Sequence, residues 1–122
     1  MKMHLFSWIR KLIHTEHPIE YGRVLVSQTE IVYRTSHSDT AVSITELVQI
    51  SIRTTPEGPF VEDVYFVLKG ASTTLTFPQQ ANGVGEFVEL LTELPGFNSE
   101  AFLATMSCTS DHEFLCWKRT LP

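Results

Sequence analysis

The sequence predicts a single α+β domain, in which antiparallel sheets are capped by a C-terminal helix and preceded by an N-terminal amphipathic helix. Three patterns carry this prediction. Over residues 21–77, apolar and polar side chains alternate with a period near two, as half-buried strands require. Over residues 84–94, Val84, Phe87, Val88, Leu91 and Leu94 recur at the spacing of one buried helical stripe. Over residues 4–14, Leu5, Phe6, Trp8, Ile9, Leu12 and Ile13 form a broad apolar face, with Ser7, Arg10, Lys11 and His14 on the other. The 122 residues are close to the commonest domain size, so the expected division is a helix within 1–18 and one domain over 19–122.

In chain order, Pro18 ends the N-terminal segment, because proline disfavours helix in the residue before it. Residues 23–28 and 30–35, rich in Val, Ile and Tyr, read as the first hairpin. A turn over 36–40 leads to a short strand over 41–44, and a brief helical turn begins near Ser43 or Thr45. In the strand over 47–55, Val48, Ile50 and Ile52 are expected on the buried face and Gln49, Ser51 and Arg53 on the wet one. Pro56, Glu57, Gly58 and Pro59 break the chain before a strand over 62–69, whose middle is apolar on both faces and which is therefore central or doubly covered. A last strand over 73–77 is closed by Pro78. The helix from Asn82 or Gly83 stops at Leu94, before Pro95 and Gly96, with Glu86, Glu89 and Glu93 outside its apolar stripe. A second helix over 99–106 has Asn98 as N-cap and a hydrophobic staple from Phe97 to Phe102. Phe114, Leu115, Cys116 and Trp117 read as a short strand or a docked tail.

Composition narrows the function classes. Hydrophobic residues make up 43% of the chain and charged residues 19%, ordinary for a folded domain, and no run approaches the length of a transmembrane helix. Nine basic and 14 acidic side chains leave a net charge of −5. The split is uneven: Lys2, Arg10 and Lys11 give residues 1–14 a charge of +3, whereas residues 57–113 hold nine acids against Lys69 alone. No Lys/Arg cluster is present to release counterions from a phosphate backbone, so nucleic acid is not an expected partner. An acidic body steers basic partners toward it.

Catalytic and metal chemistry find little support. Cys108, His112 and Cys116 fall at four-residue intervals, but a structural zinc site takes four ligands and usually a close Cys pair, and Thr109, Ser110 and Asp111 favour a turn between them. A nucleophilic cysteine needs a cationic neighbour, and here Asp111 and Glu113 stand nearby. Glu62 and Asp63 are adjacent on an expected strand and point to opposite faces, so they cannot act together as acid and base. The run Asn82-Gly83-Val84-Gly85-Glu86 completes no phosphate-loop motif. No cofactor is expected. The interrupted apolar run at the N-terminus lacks the h-region of a signal peptide, and two free thiols fit a reducing cytoplasm.

The run Gly58-Pro59-Phe60-Val61-Glu62-Asp63-Val64-Tyr65-Phe66-Val67-Leu68, with Pro78-Gln79, Leu94-Pro95-Gly96-Phe97-Asn98 and Phe114-Leu115-Cys116-Trp117-Lys118-Arg119, resembles a family of small uncharacterised bacterial proteins with no attached activity. The order of hairpins, the segment 42–52 and the helix after the last strand resemble a bacterial pleckstrin-homology-like domain, implying a partly open barrel of two nearly orthogonal sheets capped by the helix. The chain departs from that pattern in its second helix and aromatic tail. Phosphoinositide binding, which that fold achieves with basic residues around the first hairpin, is not carried over: the turn is Ser27, Gln28, Thr29 and Glu30, with Arg23 and Arg34 nearby.

The expected function is a non-enzymatic protein-interaction module, immunity-like in its most concrete form. Its acidic surface of Glu57, Glu62, Asp63, Glu86, Glu89 and Glu93 would meet a basic partner. A second reading anchors the protein peripherally at the inner membrane face through Leu5, Phe6, Trp8, Ile9, Leu12 and Ile13; the same residues would serve a homodimer contact. A third is an enzyme using Cys108 or Cys116.

Overall fold

The computed structural model describes residues 21–56, 64–108 and 110–120. The expected N-terminal helix and the carboxylates Glu57, Glu62 and Asp63 lie outside them. The first sheet contains β1 (Arg23–Val26), β2 (Glu30–Arg34) and β3 (Asp39–Ser43) in that order, antiparallel throughout. A 3-10 turn, Ile44–Glu46, leads into β4 (Leu47–Thr54), followed by β5 (Val64–Gly70) and β6 (Thr74–Pro78). Then come α1 (Val84–Glu93), α2 (Ser99–Ala104), a second 3-10 turn, Thr105–Ser107, and β7 (His112–Lys118). The second sheet is antiparallel with order β6-β5-β4-β7, which makes β5 an interior strand as its two apolar faces predict. The chain is thus α+β, with two antiparallel sheets that do not close on each other and a helix toward the C-terminal side.

Two strand expectations are corrected. β3 begins at Asp39 and not at Ala41, because the turn closes early: Thr35 N–H donates to the Ser38 carbonyl at 2.8 Å, and the Thr35 hydroxyl accepts from the N–H groups of His37 and Ser38. Arg34 and Asp39 are then register partners and pair at 3.0 Å. In β4 the simple alternation fails at its start, since the register against β5 shifts between Leu47 and Gln49. Leu47 is consequently buried and Val48 is 42% exposed, while Ile50 and Ile52 keep their expected inward direction. A second bulge in β7, opposite Ile50/Ser51, places both Cys116 and Trp117 in the interior.

The core is a sandwich of sheet and helix. Phe66 of β5, Phe77 of β6 and Phe87 of α1 meet with ring centroids 5.2 to 5.5 Å apart, the two contacts of Phe87 being edge-on. Val24, Ile31 and Val42 close the core from the first sheet. The α1 stripe is as predicted, with Val84, Phe87 and Leu91 buried and Val88 and Leu94 packed at its margin. In α2 the Asn98 side chain accepts from Ala101 N–H at 3.0 Å and Phe97 packs edge-on against Phe102, so cap and staple both form, although the regular helix ends at Ala104.

One seam joins the first strand to the first helix. Val24 N–H donates to the Asn82 carbonyl and Asn82 N–H to the Gly22 carbonyl, at 2.7 and 3.0 Å. The next residue, Gly83, has φ of 89° at the N-cap of α1 and lies so close to β1 that an added Cβ would run into the Val24 carbonyl oxygen. Gly85, two residues on in the first turn, faces open space. Gly83→Ala is therefore expected to destabilise the fold by about 2 kcal/mol or more through left-handed strain and collision. Gly85→Ala should stabilise it by up to about 1 kcal/mol through helix propensity. Urea unfolding of the two variants should move the midpoint in opposite directions.

Candidate functional site

The solvent face of α1 is where the acidic surface takes definite form. At 100° per residue, Glu86, Glu89 and Glu93 fall within one 60° sector opposite the buried stripe. All three are exposed, and neither ion pair found among the described residues, Arg34–Asp39 and Arg53–Asp111, includes them. The row also opposes the helix dipole. Glu86 sits favourably in the first turn, but the last turn holds Glu93 and no basic residue. A cation arriving at that end would answer both the carboxylates and the exposed carbonyls. Glu100 is a further exposed carboxylate, in the first turn of α2.

The structure scatters the residues considered for metal or nucleophilic chemistry. Cys108 lies in the loop after the second 3-10 turn, His112 opens β7 on the surface with its ring 4.4 Å from that of Phe114, and Cys116 is buried at the β7 bulge. They share no helical face. Among the described residues, no group of three or more His, Cys, Asp or Glu side chains is placed to hold a metal ion. Among the described residues, a cavity between α2 and the sheet, lined by Ile52, Phe66, Phe102 and Met106 among others, holds about 10 Å³, room for one water. The glycine-containing run at 82–86 serves as the seam and the helix start, with Gly83 in the left-handed region.

Sequence reasoning missed the residues that hold the aromatic tail in place. Trp117 is buried and donates its indole N–H to the Pro95 carbonyl at 2.8 Å, tying β7 to the end of α1. Arg119 donates Nε to the Leu47 carbonyl at 2.7 Å and Nη2 to that of Ile44 at 3.0 Å, while its guanidinium lies 5.3 Å from the Trp117 ring centroid. The cation thereby caps the first 3-10 turn from a position 72 residues away in the chain. Thr54, fully buried, places its hydroxyl 2.7 Å from the Ser110 carbonyl and 3.4 Å from Cys108 Sγ. An Arg two residues after a Trp was the available signal for the first clamp; nothing local in the sequence marks Thr54.

The two cysteines differ in environment, Cys108 being half-buried and Cys116 buried. Burial pushes the Cys116 thiol up to about 11 from an ordinary 9.0, because no charge nearby compensates a thiolate in the core. At neutral pH it is a protonated apolar side chain. The sign of the linkage follows. Below pH 9 the thiol is protonated in both folded and unfolded chains and contributes nothing; between pH 9 and 11 the unfolded chain ionises first, so stability falls as pH rises through that window. Replacing Cys116 with Ala should flatten the loss of stability measured by urea unfolding across that window. In the intact native chain at pH 8, iodoacetamide should label Cys108 and spare Cys116, as peptide mass mapping would show.

No family model, curated protein or solved structure matches the chain.

Proposed function

We propose that this protein is a non-enzymatic interaction module that binds a basic protein partner through the solvent face of α1. The observation that carries the reading is the line of Glu86, Glu89 and Glu93, exposed on a helix whose own last turn lacks a cation. Basic side chains presented at helical or extended spacing would meet three carboxylates along about 10 Å of helix axis. Such a rim of charge sets association rate and partner choice more than raw affinity. A basic toxin is one partner of this chemistry, and binding it would make the protein immunity-like. The antiparallel sheets with a helix following β6 support reading the scaffold as a pleckstrin-homology-like, partly open barrel, to which α2 and β7 are additions. A cytoplasmic setting belongs to the same reading.

Charge reversal provides the test. The intact protein and its Glu86→Lys, Glu89→Lys, Glu93→Lys variant, used as paired baits at low salt, should differ in one or more basic proteins retained by the first and lost from the second. For a recovered partner, the triple variant should weaken binding at least about tenfold, and raising the salt concentration should shrink the difference between the two baits. Equal retention by both baits, with unfolding midpoints unchanged, would remove the reading.

A further inference from the structure

We propose that Asn82-Gly83 is a site of covalent modification, at which the asparagine amide is converted to an aspartyl or iso-aspartyl carboxylate in the folded chain. The run at 82–86 completes no phosphate loop, but an asparagine followed by glycine has a chemistry of its own. The glycine nitrogen lies next to the side-chain amide in the same chain, so its attack is intramolecular, and no side chain on the glycine obstructs it. The structure leaves both reacting groups open. Asn82 and Gly83 are exposed, and among the described residues neither the Asn82 side chain nor the Gly83 N–H makes a hydrogen bond. The two seam bonds hold the N–H and the carbonyl of Asn82 and not its side chain. Asn98, the other asparagine of the chain, is the contrast: it precedes Ser99, and its side-chain oxygen accepts from Ala101 N–H at 3.0 Å.

In the first step the Gly83 nitrogen gives up its proton to base and bonds to Cγ of Asn82, while the Cγ–Nδ2 bond breaks and ammonia leaves. The cyclic imide then takes up one water. Opening at Cγ restores the ordinary main chain and leaves an aspartate side chain just before the N-cap of α1, where the helix dipole favours a negative charge. Opening at the main-chain carbonyl routes the chain through Cβ and Cγ. The two products bear differently on the seam. In the second, the carbonyl that accepts from Val24 N–H becomes a carboxylate outside the main chain, and one extra chain carbon enters directly before Gly83. Gly83 has no room for this, since an added Cβ would already run into the Val24 carbonyl oxygen. The iso-aspartyl product therefore opens the contact between β1 and the start of α1, and the aspartyl product leaves it closed.

Ageing the intact folded protein in mildly alkaline buffer tests the assignment. Peptide mass mapping should show the mass gain of an amide-to-acid exchange at Asn82, faster as pH rises, while Asn98 stays an amide. An isoaspartyl methyltransferase should label the same peptide. The iso-aspartyl form, separated by ion exchange, should unfold at a lower urea concentration than unaged protein, and the Asn82→Asp variant, which lacks the extra chain carbon, should keep the unaged midpoint. An Asn82 amide that survives in the folded chain until a urea-unfolded sample in the same buffer has converted overturns the proposal, because the seam would then hold the site too rigidly to react. Conversion of Asn82 no faster than that of Asn98 overturns it too. An iso-aspartyl form with an unchanged midpoint, or an Asn82→Asp variant with the same loss, overturns the effect on the seam.

Discussion

The meeting of Phe66, Phe77 and Phe87 is the contact on which the remaining architecture depends. Two of the rings belong to neighbouring strands and face the same side only because β5 and β6 are in register at that pair; the third arrives on a helix, nine residues after β6 ends at Pro78. Three aromatic side chains fully removed from water contribute several kcal/mol through burial, and edge-on geometry adds a smaller directional part. With Phe87 held there, α1 can rotate very little about its axis. The buried stripe and the glutamate row are opposite sectors of one helix, so the packing that fixes the first also fixes the direction in which the second is presented.

Around that apolar centre, polar contacts determine where the chain crosses between layers. The Gly22–Asn82–Val24 seam holds the first sheet against the start of α1, and Trp117 on Pro95 holds β7 against its end. Arg119 then reaches the carbonyls of Leu47 and Ile44, where the chain passes from the first sheet to the second. Each of these hydrogen bonds satisfies a backbone group at an irregular position, where no ladder or helix would supply a partner. Among the described residues, the carboxylates on the solvent face of α1 take part in none of these contacts and in neither ion pair.

Much of this was legible from local pattern, for identifiable reasons. The α1 stripe, its termination before Pro95, the Asn98 cap and the Phe97–Phe102 staple all depend on residues within a few positions of one another, and each formed as the spacing indicates. What escaped prediction depends on pairing. The early start of β3 follows from the Arg34–Asp39 register, and the outward placement of Val48 from a bulge that exists only relative to β5. Alternation along one strand contains no information about a residue skipped against its neighbour. The same distinction holds for the candidate site: Glu86, Glu89 and Glu93 were identifiable as one face because helical geometry is local, whereas the role of Arg119 required knowing which carbonyls β7 would bring beside it.

That β7 pairs with β4 also bears on how the molecule reaches its native state. Thr54 and the His112 carbonyl it approaches are 58 residues apart, so the second sheet closes only after a large loop of chain has been ordered. The β4–β5 and β5–β6 hairpins can assemble early, leaving the far edge of β4 with open backbone donors and acceptors until β7 is delivered. During that interval the chain is a three-stranded sheet with an unprotected edge, and a neighbouring molecule can compete for it. Trp117 and Arg119 act on the strand's departure and not on its arrival: their contacts form once it is home, and by locking it they slow its release.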